Sequence, residues 1–448
     1  MKTIANTSYI IFGGLMALSS CGQEESSVII PDRDDRRIAF HASLPELTTK
    51  AAEITKDPQY FRMTAFNESD DRFVDGVTIK EYFNNSLLEK DKEFKSDECI
   101  WPDPGQESDR LHFFAYYPAM NSGAGLVNTS VVSDGNKTIG YRMTGFQVAP
   151  DIADQVDFVT AYTTGSMADN YFSGIELGFR HQLSRIEVKA RGEHKSCDIE
   201  IAGVCLANVP MSGNFEFQKS DSDGIWSDIV QGNAGYIFRE GDAIVTVGKD
   251  PVSIMGSKIE GGDDNCAMLI PTTCPAWNYT GNARNSDKGM YLNVLLRIID
   301  KTPTTGKGKV QYPYFDNSQG LNAMNIERVY MAVNKTNGTV SKRVYKKDNT
   351  YFSDKACTQS YTVASGDEIR EFGWAALPVS ADWQPGYSYC YTIDYTSGVG
   401  VHGPDVIGDV SPKAGDPVIS DRIGVTVSVN GWQGLNGSTT HTVDVPGA

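Results

Sequence analysis

Six histidines, eight cysteines and 57 acidic side chains are the groups in this 448-residue chain that could carry chemistry. Their spacing supports little of it. His41, His112, His181, His194, His402 and His441 are scattered, and none has a partner at a metal-binding interval such as HExxH. His112 and His181 fall in strand-like blocks and read as satisfied core residues. The chain has no GxSxG nucleophile turn and no phosphate-cradling Walker loop. Asp221-Ser222-Asp223-Gly224 and Gly261-Gly262-Asp263-Asp264 offer carboxylates to calcium, but without the twelve-residue ligand pattern they read as solvated loops. A carboxylate pair for glycoside hydrolysis is a matter of separation in space, on which sequence is silent. The expectation is therefore a protein that is not an enzyme and holds neither metal nor cofactor.

Cys21 stands apart from the other cysteines. Lys2 supplies a positive start, and residues 9–18 form a ten-residue apolar run. That run is too short to span a bilayer and suits a signal-peptide core. It ends in Leu18-Ser19-Ser20-Cys21, small residues before a cysteine, the pattern of a bacterial lipoprotein signal. Cys21 is thus the expected acylation site and the lipid the only membrane anchor, with residues 1–20 removed. Gln23-Glu24-Glu25 resembles the acidic export tag of surface-exposed outer-membrane lipoproteins, and also suits any solvated tether. The other seven cysteines (99, 197, 205, 266, 274, 357 and 390) are odd in number. The pairs 197/205 and 266/274 are too widely spaced for a CxxC motif, so most of these thiols read as buried and inert.

Next come the elements that position these groups. Ile38, Phe40, Ala42 and Leu44 alternate with polar or small residues, the pattern of a half-buried strand. Thr49-Lys50-Ala51 follows in a threonine-rich segment open to a trypsin-like protease. Residues 21–50 thus read as a lipidated tether carrying one removable strand. The net charge is −17, and −17 − 1 = −18 once Lys2 leaves with residues 1–20, which argues against nucleic acid or an anionic membrane as partner. Forty-three glycines and twenty-one tyrosines favour strands punctuated by turns. Residues 60–68, 110–118, 155–162, 174–179, 184–190 and 199–206 read as strands, as do 214–217, 243–247, 267–270, 291–299, 328–333, 372–377, 387–395 and 422–429. Residues 111–117 are apolar or aromatic at nearly every position, which calls for cover on both faces. Residues 86–95 are the best short helix, 211–235 and 396–420 read as loops, and 342–347 as a basic, exposed hairpin end. Length favours two domains, 51–218 and 219–448.

Several blocks, taken in order, resemble the fimbrillin (Mfa-like) family of type V pilus subunits. They are Trp101-Pro102 with Leu111-His112-Phe113-Phe114-Ala115-Tyr116-Tyr117-Pro118, and Phe179-Arg180-His181-Gln182-Leu183-Ser184-Arg185-Ile186-Glu187-Val188. Met268-Leu269-Ile270-Pro271, Trp383-Gln384-Pro385-Gly386-Tyr387-Ser388-Tyr389 and residues 425–432 follow. Thr49-Lys50-Ala51 stands where members often carry Thr-Arg-Ala. The resemblance implies an all-β chain of two transthyretin-like Greek-key β-sandwich domains, exported as a surface-exposed outer-membrane lipoprotein. It also implies a trypsin-like protease that removes the N-terminal strand by cutting between Lys50 and Ala51. The open groove then takes a C-terminal strand from another subunit, self or paralogous, in a fimbrium.

On that footing Ile38, Phe40, Ala42 and Leu44 are the plug, and Thr439, His441, Val443 and Val445 the alternating set proposed as donor. Ile423, Val425, Val427 and Val429 read as an ordinary strand. Lysine at the cleavage position and a short polar tail depart from the family pattern, and the tail suits a tip or accessory subunit as well as a stalk. The surface ligand of such a fimbria is not written in the sequence. The alternative is a surface glycan-binding lipoprotein using Trp226, Trp277 and Trp374 as exposed stacking platforms.

Overall fold

β-Branched and aromatic residues at two-residue intervals drive almost every segment into strands. The structure, a computed structural model, describes residues 36–43, 60–67, 72–82, 93–96, 98–102, 109–117, 128–134, 137–155, 157–217, 224–231, 235–256, 266–301, 310–313, 327–406, 412–419, 424–431 and 439–443. Among them lie twenty-eight strands, one four-residue α-helix (Met167–Asn170) and two short 3-10 turns. The chain is all-β. No described helix is long and apolar enough to cross a membrane.

The first eight-stranded sheet runs in the order Arg180–His181, Val159–Ser166, Arg110–Tyr117, Tyr60–Asn67, Arg72–Tyr82, Glu93–Lys95, Phe40–Ser43, Ile175–Gly178. Its two ends are separated along the chain by Phe179 alone, so the sheet curls back on itself. Alternate residues fill the enclosed core: Phe61, Met63, Leu111, Phe113, Ala115, Val159 and Ala161. The opposite face of the same strands presents Phe66, Phe114 and Tyr116. They meet Tyr141, Met143, Phe146 and Phe215 in a larger core shared with a four-stranded sheet of Ile225–Gln231, Pro210–Glu216, Lys137–Gln147 and Asn128–Asp134. Residues 111–117 are therefore covered on both sides, as their composition requires.

The rest of the larger core lies between two further sheets. In one, Ser184–Arg191 pairs parallel with Tyr387–Asp394, two strands about 200 residues apart in sequence. Gly424–Gly431 and then Thr439–Val443 extend that sheet to its edge. In the other, Cys197–Ala207, Tyr291–Asp300 and Asp367–Pro378 lie side by side. Leu292, Val294, Leu296 and Leu377 face the shared core. Leu295, Met331 and Phe372 turn to a small core on the far side.

Three expectations differ from what forms. Residues 93–95, the end of the expected helix, are a strand, because Phe94 pairs with Phe40 on one side and Glu81 on the other. Within 211–235, expected as loop apart from a strand at 214–217, Pro210–Glu216 and Ile225–Gln231 form a strand pair. Glycine and serine conceal them, yet Phe215 and Trp226 still stand opposite one another, and Asp228 takes φ 47° at an irregular edge. Arg72–Tyr82, Asn128–Asp134 and Lys137–Gln147 are further strands, outside the segments read as strands from the sequence. Within 396–420 the described residues make only isolated bridges, at Val401 with Ala376 and Pro417.

Candidate functional site

The strand Phe40–Ser43 occupies a slot, not an edge. On one side it runs antiparallel to Glu93–Lys95, with Phe40 opposite Phe94 and His41 opposite Glu93. On the other it runs parallel to Ile175–Gly178, with Phe40, His41, Ala42 and Ser43 opposite Ile175, Glu176, Leu177 and Gly178. Backbone bonds extend the seat: the Ile38 N–H donates to the Cys99 carbonyl at 2.9 Å, and the Ile175 N–H to the Ala39 carbonyl at 2.8 Å. Arg37 bridges Ile100.

The two-residue period directs Ile38, Phe40 and Ala42 to one face. Ile38 and Phe40 are completely buried, and Ala42 packs partly buried against the same core. The Phe40 ring meets Phe113 edge-on at 5.5 Å and Phe61 at 6.1 Å, the edge-to-face geometry that aromatic quadrupoles favour. Burying Ile38 and Phe40 is worth roughly 1.5–3 kcal/mol each. On the other face, the His41 imidazole lies against Gly174, whose φ is +73°. A Cβ at Gly174 would sit 2.7 Å from His41 Nε2, so glycine is required there twice over, by backbone and by space. Leu44, Lys50, Ala51 and Cys21 lie outside the described residues.

The proposed donor set is in a different setting. Thr439–Val443 forms the outermost strand of its own sheet, antiparallel to Gly424–Gly431. Thr439, His441 and Val443 stand in register with Val429, Val427 and Val425. Val445 lies outside the described residues. Nothing brings this strand to the slot: it belongs to another sheet.

The chemistry-bearing residues do not converge. His112 Nδ1 lies 2.8 Å from the Tyr162 hydroxyl, and buried His181 pairs with Asp157 at 2.7 Å. Both are partnered residues of strand cores. Among the described residues no group of three His, Cys, Asp or Glu could hold a metal ion. The two aspartate-rich segments, 221–223 and 261–264, lie outside the described residues. The cysteines described carry no disulfide, and Cys99, Cys197, Cys266 and Cys274 are buried. Burial pushes the Cys99, Cys274 and Cys390 thiols up, and holds Cys205 at about 12 with help from nearby Glu240 and Asp405. Such thiols are poor nucleophiles at neutral pH. Trp277, expected as an exposed platform, is 2% exposed, its indole N–H donating to the Arg284 carbonyl at 2.9 Å. Trp226 packs edge-on against Phe146, and Trp374 against the small core. The 342–347 run lies in a hairpin, Val340–Lys347 returning as Thr350–Phe352, with Lys342, Lys346 and Lys347 exposed and Val344 buried.

Residues 61–302 match the family model of the fimbrillin-like proteins. The chain belongs to the fimbrillin-like family. Among solved structures, this fimbrillin-like chain is similar to a candidate cell adhesion protein of Bacteroides uniformis (12% identity, 90% of this chain and 100% of that one, TM-score 0.34). It is also similar to a fimbrial assembly protein of Parabacteroides distasonis (8% identity, 90% and 99%, TM-score 0.35). No curated protein matches it.

The alternation of residues 38–44 and of 174–179 marks each as a strand, but the sequence does not show that they pair. Glu93–Lys95 was hidden in a helix-like run. The parallel partner Ile175–Gly178 lies 135 positions from Phe40, and only its own alternation marks it as a strand. Gly174 gave no signal beyond being a glycine.

Proposed function

We propose that the chain is a structural subunit of a fimbrium, exported as a lipoprotein acylated at Cys21 and assembled by exchange of its N-terminal strand. The observation that carries this reading is the slot: a terminal strand held between two neighbours, with Ile38 and Phe40 wholly buried. A sheet with a vacated internal position exposes a row of backbone donors and acceptors, and strand addition is the natural way to satisfy them. Membership of the fimbrillin-like family supplies the context.

In this reading a trypsin-like protease cuts between Lys50 and Ala51, after the strand in sequence. The cut leaves residues 38–43 seated by non-covalent contacts alone, so a strand of another subunit can displace them. Thr439, His441, Val443 and Val445 are the proposed donor to a neighbour. The cell surface is the proposed location of the processed subunit.

The decisive experiment is mass spectrometry of the form recovered from intact cells. A chain beginning at Ala51 and running in SDS-resistant ladders fits the proposal. A chain that still begins at acylated Cys21 in every surface-exposed assembly overturns it.

A further inference from the structure

We infer that the slot selects an aromatic donor strand carried by a different subunit, and that the chain does not polymerise through its own C-terminal strand. This rests on the strand-exchange reading above and names the partner that reading leaves open.

The occupant defines what fits. Ile38 and Phe40 fill the core side, Phe40 wedged between the rings of Phe61 and Phe113, and Ala42 follows where less room is needed. Between Phe40 and Ala42 the strand places His41 in register with two carboxylate residues, Glu93 on one side and Glu176 on the other. Cross-strand neighbours of like charge destabilise a sheet and opposite charges support it. The slot therefore specifies large aliphatic, spacer, aromatic, neutral or basic, small. It also fixes direction: the occupant runs parallel to Ile175–Gly178.

The chain's own tail, Thr439-Thr440-His441-Thr442-Val443-Asp444-Val445-Pro446, meets this specification in no register. With His441 at the Phe40 position, an imidazole enters a pocket of hydrocarbon rings without a polar partner there. With Val443 in that position most of the ring's volume stays empty, and Asp444 falls between Glu93 and Glu176. With Val445 there, Pro446 takes the next place, and proline cannot donate within a central strand. Registers that set Thr439, Thr440 or Thr442 at the Phe40 position put a hydroxyl into the ring pocket, and Asp444 there would put a carboxylate into it. The tail is moreover seated at the edge of its own sheet, with Thr439, His441 and Val443 matched to three valines. Donor and acceptor on this chain are thus unlike, and a heterologous contact between different subunits satisfies both.

The test uses the full chain with a site-specific protease sequence inserted after Lys50, cut in place, and three labelled peptides. One carries residues 37–44, the second the same residues with Phe40→Val, and the third residues 437–448. The first should displace the cut strand; the second should bind at least about tenfold more weakly. The third should not enter, and the cut chain alone should stay monomeric on SDS gels. If the third peptide binds as well as the first, or the cut chain polymerises alone, exchange stands and the selectivity inferred here is wrong. If no peptide enters, including the first, the exchange reading itself falls and this inference with it.

Discussion

The two terminal strands of this chain have opposite designs. Phe40–Ser43 sits between two neighbours, one parallel and one antiparallel, with Phe40 wholly enclosed and Ala42 partly buried on the same face. Thr439–Val443 has one neighbour, antiparallel and nearby in sequence, and lies at a sheet edge. The first joins regions more than 130 residues apart, so its register is fixed by tertiary packing around Phe61 and Phe113. The second closes a local pairing that needs little help from the rest of the fold. An internal strand with buried rings is costly to lose and specific about its replacement. An edge strand rich in threonine has one neighbour to lose and is cheaper to lift away.

Phe40→Ala is the strongest way to break this contrast. Removing a buried ring that touches two others should cost about 3–5 kcal/mol, read as a shift in urea midpoint. Ending the chain at residue 438 should cost distinctly less in the same assay. Equal losses would mean that the two strands are held alike.

Acid sharpens the comparison from the C-terminal side. His402 is buried beside Tyr312, and burial lowers it to about 4 despite the favourable charge of Asp416. The unfolded chain takes up this proton near pH 6.5, the folded chain only near 4. Between those values the unfolded state binds more protons, so stability falls as pH falls, by about 3 kcal/mol in all, and this group adds nothing further below 4. His402→Gln should flatten that part of the stability profile. Exchange protection of the 38–43 amides should follow global stability in both proteins, since His402 is bonded to the 415–416 turn and not to the slot.

Alternation made the strand at 40–43 legible in the sequence, because Ile38, Phe40 and Ala42 obey a period of two. Leu111 to Tyr117 was legible for a related reason: unbroken apolar character means two covered faces. Pairing was not legible. Nothing in Ile175-Glu176-Leu177-Gly178 says that it lies parallel to a strand 135 residues earlier, since parallel partners are joined by no turn chemistry. Glu93–Lys95 was hidden because three residues cannot display a period. Trp277 misled because a tryptophan in a polar, loop-like stretch looks exposed until Tyr279 and Tyr291 pack around it.

A smaller effect probes the unseen wall. Gly174→Ala forces a side chain into φ +73° and against His41, and should cost about 1–2 kcal/mol from the backbone alone. Adding His41→Gly should recover the steric part and leave the backbone part. Amide exchange at residues 38–43 should quicken in the single variant and slow again in the double, whereas residues 439–443 should not respond in either.

The finest distinction is kinetic and uses Cys99. Its thiol is wholly buried in the same core as Ile38 and Phe40, while its carbonyl accepts the Ile38 N–H. Burial raises the thiol well above its ordinary range, so an alkylating reagent finds little thiolate while the strand is seated. Each departure of the plug opens that core to water and removes the cause of the shift. Labelling of Cys99 should therefore report slot opening, with partly exposed Cys357 as the internal reference in each sample. Cutting after Lys50 should accelerate Cys99 alkylation relative to Cys357, and a saturating peptide of residues 37–44 should suppress it again. Truncation after residue 438 should leave the ratio unchanged. If truncation raises the ratio as much as the cut does, the two ends of the chain are coupled, and the independence of plug and tail is lost.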